Sequence, residues 1–112
     1  MLIYKILRAD EWSALQARGE TAGAPIDVAD GYVHFSTAEQ ARETAAKHFA
    51  GAEGLHLLVY DTETIGEALV WEPSRGGQLF PHLYAPLRYD RIVRHMPLPL
   101  GPDGHVFPDE IA

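Results

Sequence analysis

The pattern of apolar and polar positions along the chain predicts six strands and two helices. Residues 55–61 are almost continuously apolar, which is typical of a central strand buried on both faces. Ala38, Ala41 and Ala45 recur at helical spacing and predict one of the helices. The predicted strands are 3–7, 32–36, 55–61, 68–72, 79–87 and 89–95, and the predicted helices are 11–18 and 38–50. Because the helices come early and the strands outnumber them, the pattern indicates an α+β fold rather than a wound parallel sheet.

Turn and capping residues set the boundaries of these elements. Ser36 and Glu39 match a capping box at the start of the second helix. Residues 19–31 are rich in Gly, Ala, Asp and Pro and predict a loop. Pro81 lacks a ladder N–H, which places its strand at an edge or a bulge. Prolines and glycines in residues 97–112 predict an irregular tail that wraps the domain or frays.

The length and composition fit one folded domain, residues 1–112. Hydrophobic residues make up 46% of the chain, enough to fill a core at this size. Periodicity turns four apolar side chains inward: Phe35, Phe49, Leu57 and Val59. If Phe49 is a core residue, its truncation to alanine costs about 3–5 kcal/mol.

The chain contains no cysteine, which excludes disulfides, thiolate metal sites and a cysteine nucleophile. The first apolar run is short and interrupted by Lys5, unlike a signal peptide or a membrane span. We therefore expect a cytoplasmic protein with no membrane partner.

The net charge of −7 disfavours binding to duplex nucleic acid. Basic residues nevertheless concentrate in residues 75–96. This region contains one acid, Asp90, and four arginines: Arg75, Arg88, Arg91 and Arg94. The arginines form either a solvated strand face or a phosphate-binding group.

Two segments combine histidine and tyrosine on one strand face. Alternation places Tyr32, His34 and Ser36 together in the first segment and His82 with Tyr84 in the second. If the two faces meet, they form an open cleft that stacks a flat ring and hydrogen-bonds its polar rim. Alternatively, both histidines are hydrogen-bonded sheet residues and the tyrosines only pack.

Two acids end predicted strands. Glu72 could orient a ribose hydroxyl or stabilise a cationic transition state, or simply pair with Arg75 at the strand end. Asp61 is better explained by turn chemistry. Zinc bound by His34, His82 and Glu72 is stereochemically allowed, but no metal-binding motif supports it. No Rossmann, P-loop or lipase motif occurs.

Several stretches resemble one family of uncharacterised bacterial proteins, the domain of unknown function 952 family, over nearly the whole chain. They are IYKIL followed by EW, DGYVHFSTAEQ, LHLLVYD, VWEPSRGGQLFPHLYAPL and VRHMPL. That family is remotely similar to the ADP-ribosyltransferase fold, near the RNA 2'-phosphotransferases. The resemblance therefore implies a small split β core with two helices and a cleft for an NAD-type nucleotide.

The resemblance also assigns residues. His34 and Ser36 match the HxS of the family, Glu72 its WE, and His82 and Tyr84 its FPHLY. Lys5 departs from the family, whose members commonly have histidine in the first strand, where related transferases hold the dinucleotide. The ammonium of Lys5 must reach solvent along the cleft or meet an anion, with a bound pyrophosphate or, in the empty protein, Glu72 as candidates.

The leading hypothesis is an ADP-ribosyltransferase-like domain that binds NAD, as a substrate, or an ADP-ribose-type nucleotide. Tyr32 or Tyr84 would stack a ring, His34 would hold a ribose and Arg75 would meet phosphates. Lys5 and Ser36 would also bind the ligand. Glu72 and His82 would act in catalysis. The alternative is a non-catalytic module that binds a nucleotide or a protein. A third hypothesis, a metal-dependent hydrolase, requires stoichiometric zinc.

Overall fold

Ten strands and four α-helices form the fold in the computed structural model, which describes residues 1–111 apart from the side chains of Arg75 and Glu110. The strands are β1 (Leu2–Leu7), β2 (Glu20–Thr21), β3 (Val33–His34), β4 (Leu55–Asp61), β5 (Leu69–Pro73), β6 (Leu79–Leu83), β7 (Leu87–Arg88), β8 (Ile92–Leu98), β9 (Leu100–Gly101) and β10 (Gly104–His105). The helices are α1 (Ala9–Arg18), α2 (Pro25–Asp30), α3 (Ala38–His48) and α4 (Thr62–Ile65). The fold is α+β, as predicted.

Two three-stranded antiparallel sheets carry the architecture. One has the order β1-β4-β8 and the other the order β3-β6-β5. A single bridge joins them, in which Tyr4 N donates to Ser36 O at 2.8 Å and Ser36 N donates to Tyr4 O at 2.9 Å. The strand pairing between the two sheets is limited to this bridge within the described residues, so β1 and β3 separate on either side of it.

The sheet β1-β4-β8 is covered on both faces. Leu58 and Tyr60 of β4 pack in a cluster with Leu15 of α1, whereas Leu57 packs on the opposite face against Ala45 of α3. Burial on both faces explains the nearly continuous apolar sequence of β4. The prediction that this strand is central is confirmed.

The capping box lies one residue later than predicted. Thr37, not Ser36, caps α3: its hydroxyl accepts from Gln40 N at 3.3 Å, and Gln40 Oε1 accepts from Thr37 N at 3.1 Å. Ser36 is unavailable because its backbone forms the bridge to Tyr4 and its hydroxyl lies 2.8 Å from the Thr44 hydroxyl.

Pro81 does not mark an edge strand, contrary to prediction. It lies buried in β6, the central strand of its sheet. The N and O atoms of one strand residue point to the same neighbour, and Pro81 O accepts from Phe35 N at 3.0 Å. The missing N–H therefore faces the position just beyond the end of β3, and the ladder to β5 is intact.

Two segments predicted to be irregular contain regular structure. The predicted loop 19–31 contains β2 and α2. The predicted irregular tail holds the end of β8, the β9–β10 hairpin and a 3₁₀ turn at Asp109–Ile111, where Ile111 is buried against the α3 side of the sheet. Apolar residues such as Ile111 anchor the tail despite its prolines. None of the helices described is both long enough and apolar enough to cross a membrane.

Three of the four predicted core residues, Phe35, Leu57 and Val59, are buried. Phe49 is only partly buried, because α3 ends at His48 and the ring packs at the margin of the core. The Arg8 guanidinium lies 4.9 Å from the ring centroid.

Because the Phe49 ring is only partly buried, we expect Phe49→Ala to lower the free energy of unfolding by about 1–2 kcal/mol. Truncating a fully buried phenylalanine would cost more. Urea denaturation of Phe49→Ala and Leu57→Ala checks this expectation. Phe49→Ala must lose less free energy of unfolding than Leu57→Ala does. A loss above about 3 kcal/mol for Phe49→Ala would contradict the expectation.

Candidate functional site

A cleft of about 540 Å³ lies beside the bridge that joins the two sheets. β1, the segment 34–36, α2 and α3 all contribute to its walls. The predicted site residues among its lining are Lys5, Tyr32, His34, Ser36 and His82. Glu72 and Tyr84 are outside the lining but are connected to it through His82. The side chain of Arg75 lies outside the described residues, although its neighbour Ser74 lines the cleft.

His34 and His82 lie side by side in the wall of this cleft. They are direct partners in the β3–β6 register, and their ring centroids are 5.4 Å apart. Tyr32 stacks on His82 at 4.2 Å with an interplanar angle of 27°, and its ring centroid is 4.6 Å from that of His34. The prediction that the two histidines share one concavity is confirmed.

Glu72, His82 and Tyr84 form one hydrogen-bonded unit. Glu72 Oε1 accepts from the Tyr84 hydroxyl at 2.7 Å and lies 2.8 Å from His82 Nδ1. The hydrogen bond from Tyr84, followed by that from His82, lowers the pKa of Glu72. The hydrogen bond between Tyr84 and Glu72 also raises the pKa of Tyr84 to about 12. At neutral pH Glu72 is therefore a carboxylate and Tyr84 a neutral donor.

The ammonium of Lys5 binds Asp27, and the interpretation that Glu72 serves as its anion is wrong. Lys5 Nζ lies 2.8 Å from Asp27 Oδ2, and both side chains are almost fully buried. Lys5 is therefore in the wall of the cleft, as expected, but its charge is already neutralised by a residue of α2. A buried ammonium needs such a partner because burying an unpaired charge is costly.

Asp27 organises this side of the cleft, although the sequence analysis did not select it. Besides Lys5, its carboxylate accepts from Ala24 N at 2.7 Å and His34 N at 3.0 Å, and it lies 2.6 Å from His34 Nδ1. Burial by itself would raise the pKa of Asp27, but the hydrogen bond from His34 and the charge of Lys5 outweigh it and lower the pKa to about 2. The available sequence signal was Pro25 at the first helical position with an acid two residues later, which marks a helix start.

The remaining predicted residues divide between structural and exposed positions. Ser36 lines the cleft, but its hydroxyl is engaged with Thr44. Asp61 caps α4 by accepting from Glu63 N at 3.0 Å, in agreement with turn chemistry. Arg88 forms a bidentate pair with Asp90 at 3.0 and 2.8 Å, as a solvated surface group would. Among the residues described, no three histidine or acidic side chains are grouped to bind a metal ion.

The comparisons with known proteins identify a family. Residues 6–95 match the family described as "Protein of unknown function (DUF952)". The chain belongs to this family. The DUF952 match begins after Lys5 and includes His34, Glu72 and His82.

Solved structures of another protein share the fold. The crystal structure of protein CC0527 from Caulobacter crescentus is 48% identical, covers 99% of this chain and 98% of its own, and superposes with a TM-score of 0.94. The solution structure of CC0527 is 51% identical over 93% of this chain and 90% of its own, with a TM-score of 0.83. No curated protein matches the chain. The DUF952 assignment thus gives a family and a fold but no activity.

Proposed function

We propose that this chain binds NAD or an ADP-ribose-type nucleotide in the cleft lined by His34 and His82, as an ADP-ribosyltransferase-like domain would. The observation that carries the proposal is the aromatic wall in which Tyr32 lies against both imidazoles. Flat rings stack on such a surface, and imidazole N–H groups bind ribose or phosphate oxygens. A volume of about 540 Å³ falls within the range of small-molecule sites.

Each part of the nucleotide has a candidate partner. Tyr32 stacks a base, His34 holds an oxygen of the ribose or phosphate, and Arg75 meets the phosphates near Ser74. Arg8, the residue that follows β1, also lines the cleft. Its guanidinium lies 4.9 Å from the Phe49 ring centroid and supplies a further cation for a phosphate.

Glu72, which is bonded to His82 at the edge of the cleft, is the proposed catalytic residue if the bound nucleotide reacts. When the bond between nicotinamide and ribose breaks, its electron pair moves to the nicotinamide nitrogen and neutralises the pyridinium. The ribose carbon becomes cationic and is captured by an acceptor oxygen, which loses its proton to solvent. A carboxylate kept ionised by Tyr84 and His82 stabilises that cation.

The second candidate is a binding module without turnover. One observation favours it: the Lys5 ammonium and His34 Nδ1 are hydrogen-bonded to Asp27, and His34 Nε2 lies 2.9 Å from Asp30. A cleft with these groups occupied offers few free groups for acid–base chemistry, yet it still presents a stacking surface.

Ligand binding tests the proposal directly. We expect NAD or ADP-ribose at 100 times its dissociation constant to stabilise the protein by about 2.7 kcal/mol in a thermal-shift assay. Tyr32→Ala is expected to weaken that binding at least about tenfold, because it removes the stacking ring. Tyr89→Ala is the matched control, since Tyr89 is an exposed ring outside the cleft.

Two results would reject the proposal, one for nucleotide binding and one for the stacking role of Tyr32. If calorimetry detects no saturable binding of NAD, ADP-ribose or a 2'-phosphorylated nucleotide, the cleft is not a nucleotide site. If Tyr32→Ala and Tyr89→Ala bind alike, the stacking assignment is wrong.

A further inference from the structure

Both ring nitrogens of His34 face carboxylates. Nδ1 lies 2.6 Å from Asp27 Oδ1, and Nε2 lies 2.9 Å from Asp30 Oδ2. The contact with Asp27 is a hydrogen bond inside the fold. The contact with Asp30 lies at the wall of the cleft, where a ligand oxygen can take the place of the carboxylate.

The two carboxylates are held very differently. Asp27 is fully buried and is fixed by Lys5, by Ala24 N and by the backbone of His34. Asp30 is the last residue of α2, its side chain is 42% exposed, and it lines the cleft. Among the residues described, its one ion-pair partner is His34. An exposed pair of this kind contributes at most about 1 kcal/mol, so a ligand can displace Asp30 but not Asp27.

We infer that Asp30 occupies the place of a ligand oxyanion, and that a phosphate group of the ligand replaces it at His34 Nε2. The inference rests on the proposed function and specifies its ligand, which must carry an oxyanion near the aromatic wall. A phosphate oxygen at the position of Asp30 Oδ2, 2.9 Å from His34 Nε2, can accept a charge-assisted hydrogen bond from that nitrogen. Asp27 and Lys5 keep their contacts and hold the ring in position.

Asp30 also determines selectivity in this arrangement. While its carboxylate remains in the cleft, it repels any anion that does not displace it from His34. Neutral ligands gain nothing from displacing it. Asp30 therefore lowers the affinity for every phosphate-bearing ligand, and removing its charge should raise that affinity.

The test compares Asp30→Ala with the wild type by calorimetry, using ADP-ribose and the phosphate-free nucleoside adenosine. We expect Asp30→Ala to bind ADP-ribose about fivefold more tightly and to leave adenosine affinity unchanged. Asp103→Ala, an exposed acid of the tail, makes the same change in net charge and should have no effect. Equal or weaker binding of ADP-ribose by Asp30→Ala overturns the inference while leaving the proposed function intact.

Inorganic phosphate separates failure of the inference from failure of the proposed function. If ADP-ribose binds neither protein, the proposed function fails, and phosphate then decides the inference. The readout is the NMR signal of the His34 ring, assigned with His34→Gln. A saturable shift at lower phosphate concentration in Asp30→Ala than in the wild type supports the anion site. No saturable shift in either protein overturns it.

Discussion

Replacing Asp27 with alanine is expected to lower the free energy of unfolding by about 3–5 kcal/mol. The substitution leaves the buried Lys5 ammonium without its counter-ion, 2.8 Å away in the native protein. It also removes the acceptor for Ala24 N and for the His34 ring and backbone. Urea denaturation at neutral pH measures the loss, and a change below about 1 kcal/mol would show that the ion pair does not stabilise the fold.

A double-mutant cycle separates the charge from the hydrogen bonds. Asp27→Asn keeps an acceptor at the same position but leaves Lys5 charged and unpaired. Lys5→Met removes the ammonium and keeps a similar apolar stem. We expect the double variant to be less destabilised than the sum of the single variants, because neither charge is then buried alone. Additive losses would mean that the two charges are not coupled.

The dependence of the free energy of unfolding on acid pH tests the role of Asp27 a second time. The pKa of Asp27 is about 2 in the folded protein against an ordinary value of 3.8. A lowered pKa contributes stability that is fully present above pH 3.8 and is lost as the pH falls toward 2. At about 1.4 kcal/mol per pKa unit this contribution is about 2.5 kcal/mol. The stability difference between wild type and Asp27→Asn should therefore shrink across this range.

The sequence pattern was sufficient to predict the elements whose packing faces are determined by periodicity alone. Alternation along residues 32–36 and 80–84 placed the rings of His34 and His82 on matching faces, and the β3–β6 register brings them together. β4 was predicted from its apolar run because both of its faces are covered. The cap of α3 moved by one residue because a tertiary contact, from Thr44 to Ser36, competes with the local signal.

The partners of the charged groups could not be predicted in the same way. Lys5 and Asp27 are 22 residues apart, and the acid lies in a segment whose Gly, Ala and Pro content indicates a loop. Whether α2 forms there depends on the groups that donate hydrogen bonds to the Asp27 carboxylate in the folded protein. A local pattern contains no information on those donors, so Glu72, the acid at the end of a clear strand, was selected instead.

Replacing Glu72 with glutamine is expected to lower nicotinamide release from NAD by about 100- to 1000-fold if the proposed transfer occurs. The change removes the negative charge that would stabilise the cationic ribose. Glutamine keeps an oxygen that can accept from Tyr84 and His82, which now bond to Glu72 Oε1. Because the charge acts on the transition state, kcat should fall while NAD affinity stays within about threefold of the wild type.

The comparison is made with purified protein, a single-turnover assay of nicotinamide and calorimetry of NAD on the same samples. Glu63→Gln, at the exposed start of α4, makes the same change in charge away from the cleft and should release nicotinamide at the wild-type rate. If Glu72→Gln also does so, Glu72 is not the catalytic carboxylate. If the wild type binds NAD but releases no nicotinamide, the binding module is the correct function. The pairing of Lys5 and His34 with Asp27 and Asp30 is then that of a site built to hold a nucleotide rather than to cleave it.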